Sequence, residues 1–197
     1  MEWDVTLRDG TRARLRTIEP ADRDTIAAGF DELSDESRYR RFLTPTPKLS
    51  GSQLTYLTDV DHHHHEAIIA TGPEGEPMGV ARYVRVDPES DTAEVAVTVV
   101  DAWQGRGLGT ELLARLADRA REEGVDCFTA TALAKNNDMI DLLRNLGVTE
   151  SKPASGGVVE MRVELPVETH EASPLRRALR NAASGGTWRL WRRGDPG

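Results

Sequence analysis

Between Gln104 and Gly109 the chain reads Gln-Gly-Arg-Gly-Leu-Gly, after a β-branched run ending near Val100 and before an amphipathic helix starting near Leu108. Glycines at alternate positions let several backbone N–H groups converge on one point, and the following helix adds its own unpaired N–H groups and positive dipole end. Such a turn cradles phosphate. Neither common nucleotide fingerprint is present: Gly-x-Gly-x-x-Gly fails because Thr110 stands at the last glycine position, and no Gly-Lys-Ser/Thr makes a Walker loop. Just upstream, Glu94 interrupts the apolar run Ala93–Val97. An ionisable residue in a strand that lines a cleft is a candidate for proton transfer. His62–His65 form a run, but consecutive side chains diverge and no Cys, Asp or Glu partners stand at zinc-like spacing, so no metal site is predicted.

The elements that must position these groups follow from periodicity and punctuation. Val5–Leu7 and Arg12–Ile18, joined by Arg8-Asp9-Gly10, predict a strand hairpin or a bent first strand. Glu19-Pro20 opens a helix with Ile26, Phe30 and Leu33 on one face, and Ser34 caps a second helix that the Pro45 and Pro47 pair stops. A further helical turn is expected over 49–57. Strands are expected over 66–71 and 78–86, around a Gly72–Gly75 turn, and over 91–100, in the order of an antiparallel meander. After the cradle, Leu108, Leu112, Leu116 and Ala120 recur at helical spacing until Gly124. A strand over 125–131, a helix capped at Asn136 and closed by Gly147, and a last hairpin (148–150 and 158–165) complete the pattern. Strands with helices inserted around a phosphate loop make an α/β (α+β) layer fold.

Composition narrows the setting. At 197 residues the chain fits one domain, residues 1–165, with a basic tail, 166–197. The net charge is −8, yet the tail's six arginines against Glu168, Glu171 and Asp195 leave it at +3 and the first 165 residues at −11. That body repels nucleic acid and anionic membrane. In the tail, Trp188 and Trp191 among arginines suggest an anchor for an acidic surface, the domain's own or a partner's. The one cysteine, Cys127, is expected as a buried thiol in a cytoplasmic protein, and neither a signal peptide nor a membrane span is expected.

The Gln-x-x-Gly-x-Gly cradle, in its order of strand, loop and helix, resembles the coenzyme A pyrophosphate loop of the GNAT superfamily of N-acetyltransferases. The resemblance covers about residues 12–165, most specifically 94–147. It implies a mixed, mostly antiparallel central sheet flanked by helices and splayed to admit a pantetheine arm. Ser37–Phe42, Leu57–Asp61 followed by His65-Glu66-Ala67, Ala93–Ala96 and Asn136 through Arg144 resemble, more narrowly, the acetyltransferase module of bacterial protein lysine acetyltransferases. Those enzymes often fuse the module to a cyclic-nucleotide-binding or acyl-CoA-synthetase-like domain; no such second domain is expected within these residues.

What the resemblance implies is acetyl transfer from acetyl-CoA, a co-substrate, to an amine, without a metal. Val97, Thr98 and Val99 would hold the pantetheine through their main chain. Gln104, Gly105, Arg106, Gly107, Leu108, Gly109 and Thr110 would hold the pyrophosphate, and Asn136 would supply an amide. Glu94 would be the general base: a lysine amine of pKa about 10.4 is protonated at neutral pH, and a carboxylate that removes its proton lowers a real barrier. The histidine run would lie near the amine's entrance, where a histidine could assist. Many members place a tyrosine four residues before the glycine that ends the Asn136 helix, as acid for the departing thiolate; here that position is Leu143. A thiol of pKa about 8.5 leaves without much help. Three acceptor readings stand side by side: a protein lysine, a small-molecule amine, or no acceptor at all in a non-catalytic acyl-CoA sensor. The protein is expected as a monomer or homodimer.

Overall fold

The computed structural model describes residues 1–165; the basic tail, 166–197, and its expected anchor lie outside the described residues. Eight strands form one sheet in the order β1-β2-β3-β4-β5-β6-β8-β7. The first five, β1 (Glu2–Thr6), β2 (Arg12–Thr17), β3 (His65–Thr71), β4 (Pro77–Arg85) and β5 (Thr92–Val99), make the expected antiparallel meander. β6 (Cys127–Leu133) then joins β5 in parallel, and β8 (Val158–Glu164) runs antiparallel between β6 and the edge strand β7 (Val148–Pro153). A parallel neighbour needs a crossover, and α4 (Leu108–Glu122) supplies it.

Helices cover both faces. α1 (Arg23–Asp31), α2 (Asp35–Phe42) and α3 (Gly51–Thr58) arrive in one run between β2 and β3. Ile26, Phe30 and Leu33 pack there with Ile18, Ala67 and Ile69. On the opposite face α4 and α5 (Asn137–Leu146) bring Leu108, Leu112, Leu116 and Leu143 against Ile68, Ala70, Met78 and Tyr83. Neighbouring β3 residues thus serve opposite cores, as the two-residue period of a strand requires. The strand is covered on both sides, which is why its sequence runs apolar without alternation. Each large apolar side chain so buried contributes roughly 1.5–3 kcal/mol.

Element types follow the sequence closely; the ends differ for local reasons. The Glu19-Pro20 start is a single 3-10 turn, Pro20–Asp22, whose Asp22 carboxylate accepts from Glu19 N (2.8 Å) and from the Arg16 guanidinium (2.7 Å) before α1 begins at Arg23. Helix α2 stops at Leu43, which takes a left-handed turn (φ 55), ahead of the proline pair expected to stop it. Cys127 is buried, and burial pushes its thiol pKa up. Among the described residues no helix is long and apolar enough to cross a membrane, and no group of three metal-ligating side chains occurs.

The sheet opens between β5 and β6. Their pairing spans only Thr92, Ala93 and Glu94 against Cys127, Phe128 and Thr129. Beyond Glu94, β5 stays with β4 through Val99, while β6 stays with β8 through Leu133. Peptide groups of Val95–Val99 that point away from β4 therefore face a gap in the sheet rather than another strand.

Candidate active site

The gap leads into the glycine loop. Gly105 (φ 73) and Gly107 (φ 89) both occupy the left-handed region, where a side chain is disfavoured. Gly107 O accepts from Thr110 N (3.1 Å) and Glu111 N (3.2 Å), which closes the first turn of α4. Among the described residues no main-chain carbonyl accepts from the N–H groups of residues 105 to 109. Five donors at the positive end of a helix are an anion site by construction. Gly109 is small for another reason: a Cβ there would lie 3.2 Å from Leu142 of α5.

Gln104 builds this cradle from behind. Its Nε2 donates to Val99 O (3.0 Å) and Asp101 Oδ1 (3.2 Å), pinning the loop to the end of β5, and also reaches Ser37 Oγ of α2 (3.3 Å). Ser34 N donates to Asp101 Oδ2 (3.3 Å), so α2 is tied to the loop twice. Arg106 turns outward: its Nη1 pairs with Asp9 Oδ2 (2.7 Å) and its guanidinium sits 4.8 Å from the Trp103 ring centroid.

Loop and gap together form a cleft of about 530 Å³. Val97, Thr98, Val99, Gln104, Gly105, Gly107, Leu108, Gly109, Thr110, Asn136 and Glu94 all line it; of the residues expected to hold the coenzyme or act as base, only Arg106 does not. Asn136 does two things, since its Oδ1 caps α5 at Met139 N (3.3 Å) while the residue lines the cleft. Leu143 is fully buried in the core, and Leu142, one position earlier, faces the cleft instead. No tyrosine is among the lining residues.

Glu94 stands at the head of the gap, the last β5 residue paired with β6, and is exposed to the cleft. On its face of β5 follow Ala96 and Thr98, because Val95 and Val97 point to the α4 core. Ala96 and Thr98, with Arg41 and Phe42 of α2, also line a second, apolar cavity of about 60 Å³ between the sheet and α1–α3. The two spaces meet at those four residues.

Two cations border the smaller cavity. Arg82 of β4, directly across from Ala96, is only 5% exposed; it donates to Leu57 O (3.0 Å) and to His65 Nε2 (2.9 Å). A guanidinium only donates, so His65 is neutral with its proton on Nδ1. Burial, with Arg82's charge adding, holds the His65 pKa down at about 4, and burial together with Arg41 pushes Arg82 down to about 10. Burial lowers the Arg41 pKa as well, and Glu94's charge opposes that shift. Among the described residues neither Arg41 nor Arg82 has a carboxylate at ion-pair distance. Sequence reading missed both, although Arg82 interrupts an apolar strand as visibly as Glu94 does.

The other three histidines of the run sit elsewhere. His62 Nδ1 meets the fully buried Glu66 (2.8 Å), which also holds Arg119 of α4 (3.3 Å); His63 meets Glu123 (2.6 Å) and His64 meets Asp61 (3.0 Å). None of the four lines the cleft, so the expected help in proton removal has no geometry behind it. His62 and His63 tie the β3 entry to α4.

The model of the acetyltransferase (GNAT) family matches residues 29–148. The chain is 36% identical over 163 residues to "Acetyltransferase Pat" of Mycolicibacterium smegmatis, covering 82% of this chain and 48% of that protein. It is 33% identical over 148 residues to "Acetyltransferase PA5475" of Pseudomonas aeruginosa, covering 74% of this chain and 79% of that one. Among solved structures, the GNAT domain of S. lividans PAT superposes with a TM-score of 0.77 at 37% identity, covering 83% of this chain and 97% of that domain. The chain thus spans about half the length of the mycobacterial relative.

Proposed function

Since the chain belongs to the acetyltransferase (GNAT) family, we propose that it moves an acetyl group from acetyl-CoA to the ε-amine of a protein lysine, with Glu94 as general base. The observation that carries this is the placement of Glu94 where β5 and β6 part, in the lining of the cleft and two residues before Ala96, at which the cleft and the apolar cavity meet. Bound in the cleft, the coenzyme supplies a thioester carbonyl. The cleft suits it: free amides at the cradle for the pyrophosphate, and unpaired peptide groups along Val95–Val99 for the pantetheine amides. Val99 meets that arm with its N–H side, because its carbonyl is already taken by Gln104.

The amine enters from the α1–α3 side. Glu94 takes its proton, directly or through water; the neutral nitrogen attacks the carbonyl carbon and forms the N–C bond. The C–S bond breaks, the sulfur leaves as a thiolate, and the nitrogen gives up its surplus proton to water as the amide forms. No cleft tyrosine donates to that thiolate, and a leaving group of pKa about 8.5 needs none. The protein-lysine acceptor is supported by where the narrower resemblance falls. Ser37–Phe42 is most of α2 and the residues around Leu57 end α3, and Arg41, Phe42 and Leu57 line the acceptor cavity.

A small-molecule amine is the second reading, and one observation favours it. Arg41 and Arg82 are cations without carboxylate partners beside an apolar cavity, an arrangement that suits an acceptor carrying its own carboxylate. Acetylation of a panel of lysine peptides, polyamines and free amino acids by the isolated protein tests both. Peptide turnover supports the first reading, selective turnover of carboxylate-bearing amines replaces it with the second, and binding of acetyl-CoA without turnover of any amine leaves the sensor.

A further inference from the structure

The cradle must hold an anion on a body whose charge is strongly negative, so long-range attraction is of no help and positive charge has to be local. A helix end supplies only about half a charge. The arginine inside the loop does not add to it, because Arg106 is spent on Asp9 and Trp103. The turn between β1 and β2 brings another. Arg8 N donates to Arg106 O (3.1 Å), and the ion pair of Asp9 with Arg106 fastens the same turn to the loop from the next residue. From this anchor the Arg8 side chain runs across Gly107: a Cβ on that glycine would lie 3.1 Å from Nε and 3.4 Å from Cδ of Arg8. Arg8 lines the cleft, and among the described residues its guanidinium has neither a hydrogen bond nor an ion pair.

We infer that Arg8 is a coenzyme-binding residue whose guanidinium bonds a pyrophosphate oxygen seated in the cradle, a reading that rests on the coenzyme proposed above. Asp9 has a different part: by engaging Arg106 it keeps the loop's own arginine out of the cleft, while the main-chain bond of residue 8 holds the turn that aims Arg8. Binding rather than catalysis is at stake, so the effect belongs in affinity.

The test is calorimetric titration of the full chain with CoA and with 3′-dephospho-CoA. Arg8→Gln is expected to weaken both about tenfold, the size of one charge-assisted hydrogen bond at an open site, whereas Arg106→Gln changes either by less than about threefold. Arg8→Lys, which keeps the charge and loses the fork, falls between. The turn is held by the main chain of residue 8, so these variants keep it; a thermal melt checks the fold. Equal affinities for wild type and Arg8→Gln overturn the inference. So does a loss confined to CoA, which would put Arg8 on the 3′-phosphate. Wild type that binds neither compound would instead sink the acetyltransferase reading itself.

Discussion

Glu94 is unusual in being a carboxylate on a strand whose next residues, Val95 through Val100, are apolar or small. It is tolerated there because the partner strand leaves at that point and opens the position to the cleft. If it is the base, Glu94→Gln lowers turnover by about 10²–10⁴-fold near neutral pH and leaves the acetyl-CoA affinity nearly unchanged. Raising the pH should return part of the rate, since more amine is then already neutral. A pH series of kcat and KM on wild type and variant checks this, and identical profiles would make Glu94 an ordinary solvated residue. Arg41 bears on the same experiment, because burial lowers its pKa and the charge of Glu94 opposes that shift. Gln104 shows the opposite lesson. Its place in the motif suggests a ligand contact, yet its amide braces Val99 and Asp101, so a Gln104 variant should act through the shape of the loop.

At the scale of elements, two devices make the site: the early parting of β5 from β6, and the left-handed glycines between the 3-10 turn Asp101–Trp103 and α4. Gly107→Val strains the turn at φ 89 and drives a branched side chain toward Arg8, so acetyl-CoA should lose most of its affinity while the fold persists. Titration of the variant followed by its melting curve separates those two effects. Behind the apolar cavity, α3 is pinned to the sheet through Arg82, which needs a neutral His65 to accept from it. The His65 pKa drops from 6.5 to about 4 on folding, so between those values the unfolded chain binds the extra proton. Stability therefore falls as the pH drops through that window, and is fully retained above it. Thermal melts from pH 7 to pH 4 should show a steeper decline for wild type than for His65→Gln. The neighbouring Asp61 carboxylate, held low by main-chain N–H groups of His63, His64 and His65 against the effect of burial, contributes a loss only further down, below the ordinary carboxylate range.

For the molecule as a whole, the coenzyme and the fold stabilise each other. A ligand at about 100 times its dissociation constant adds roughly 2.7 kcal/mol, which for a chain of this size raises Tm by about 5–10 °C. Acetyl-CoA should do this; NADH and ATP at equal concentration should not, since neither offers a pantetheine arm for the gap. A melting series with the three compounds decides it, and a folded protein indifferent to acetyl-CoA would remove the basis of the acetyltransferase proposal.

Much of the site is legible in the chain itself. The cradle is local: glycines, a preceding strand and a following helix lie within a few turns of backbone, and their chemistry follows from φ angles and unpaired amides alone. The meander and the caps at Ser34 and Asn136 are equally local in origin, set by side-chain period and hydrogen bonds three residues long. What needed the tertiary structure were contacts between distant segments. Arg8 lines the cleft in place of Arg106 because a turn nearly a hundred residues upstream folds onto the loop. Arg41 and Arg82 become neighbours only when α2 packs against the sheet at β5 and β6. His62 and His63 lie beside α4 and away from the cleft because Glu66, Glu123 and Arg119 hold them there. Pattern and propensity act along the chain; a charged side chain's partner is chosen by burial and distance in space, and that choice exists only once the sheet and helices have packed.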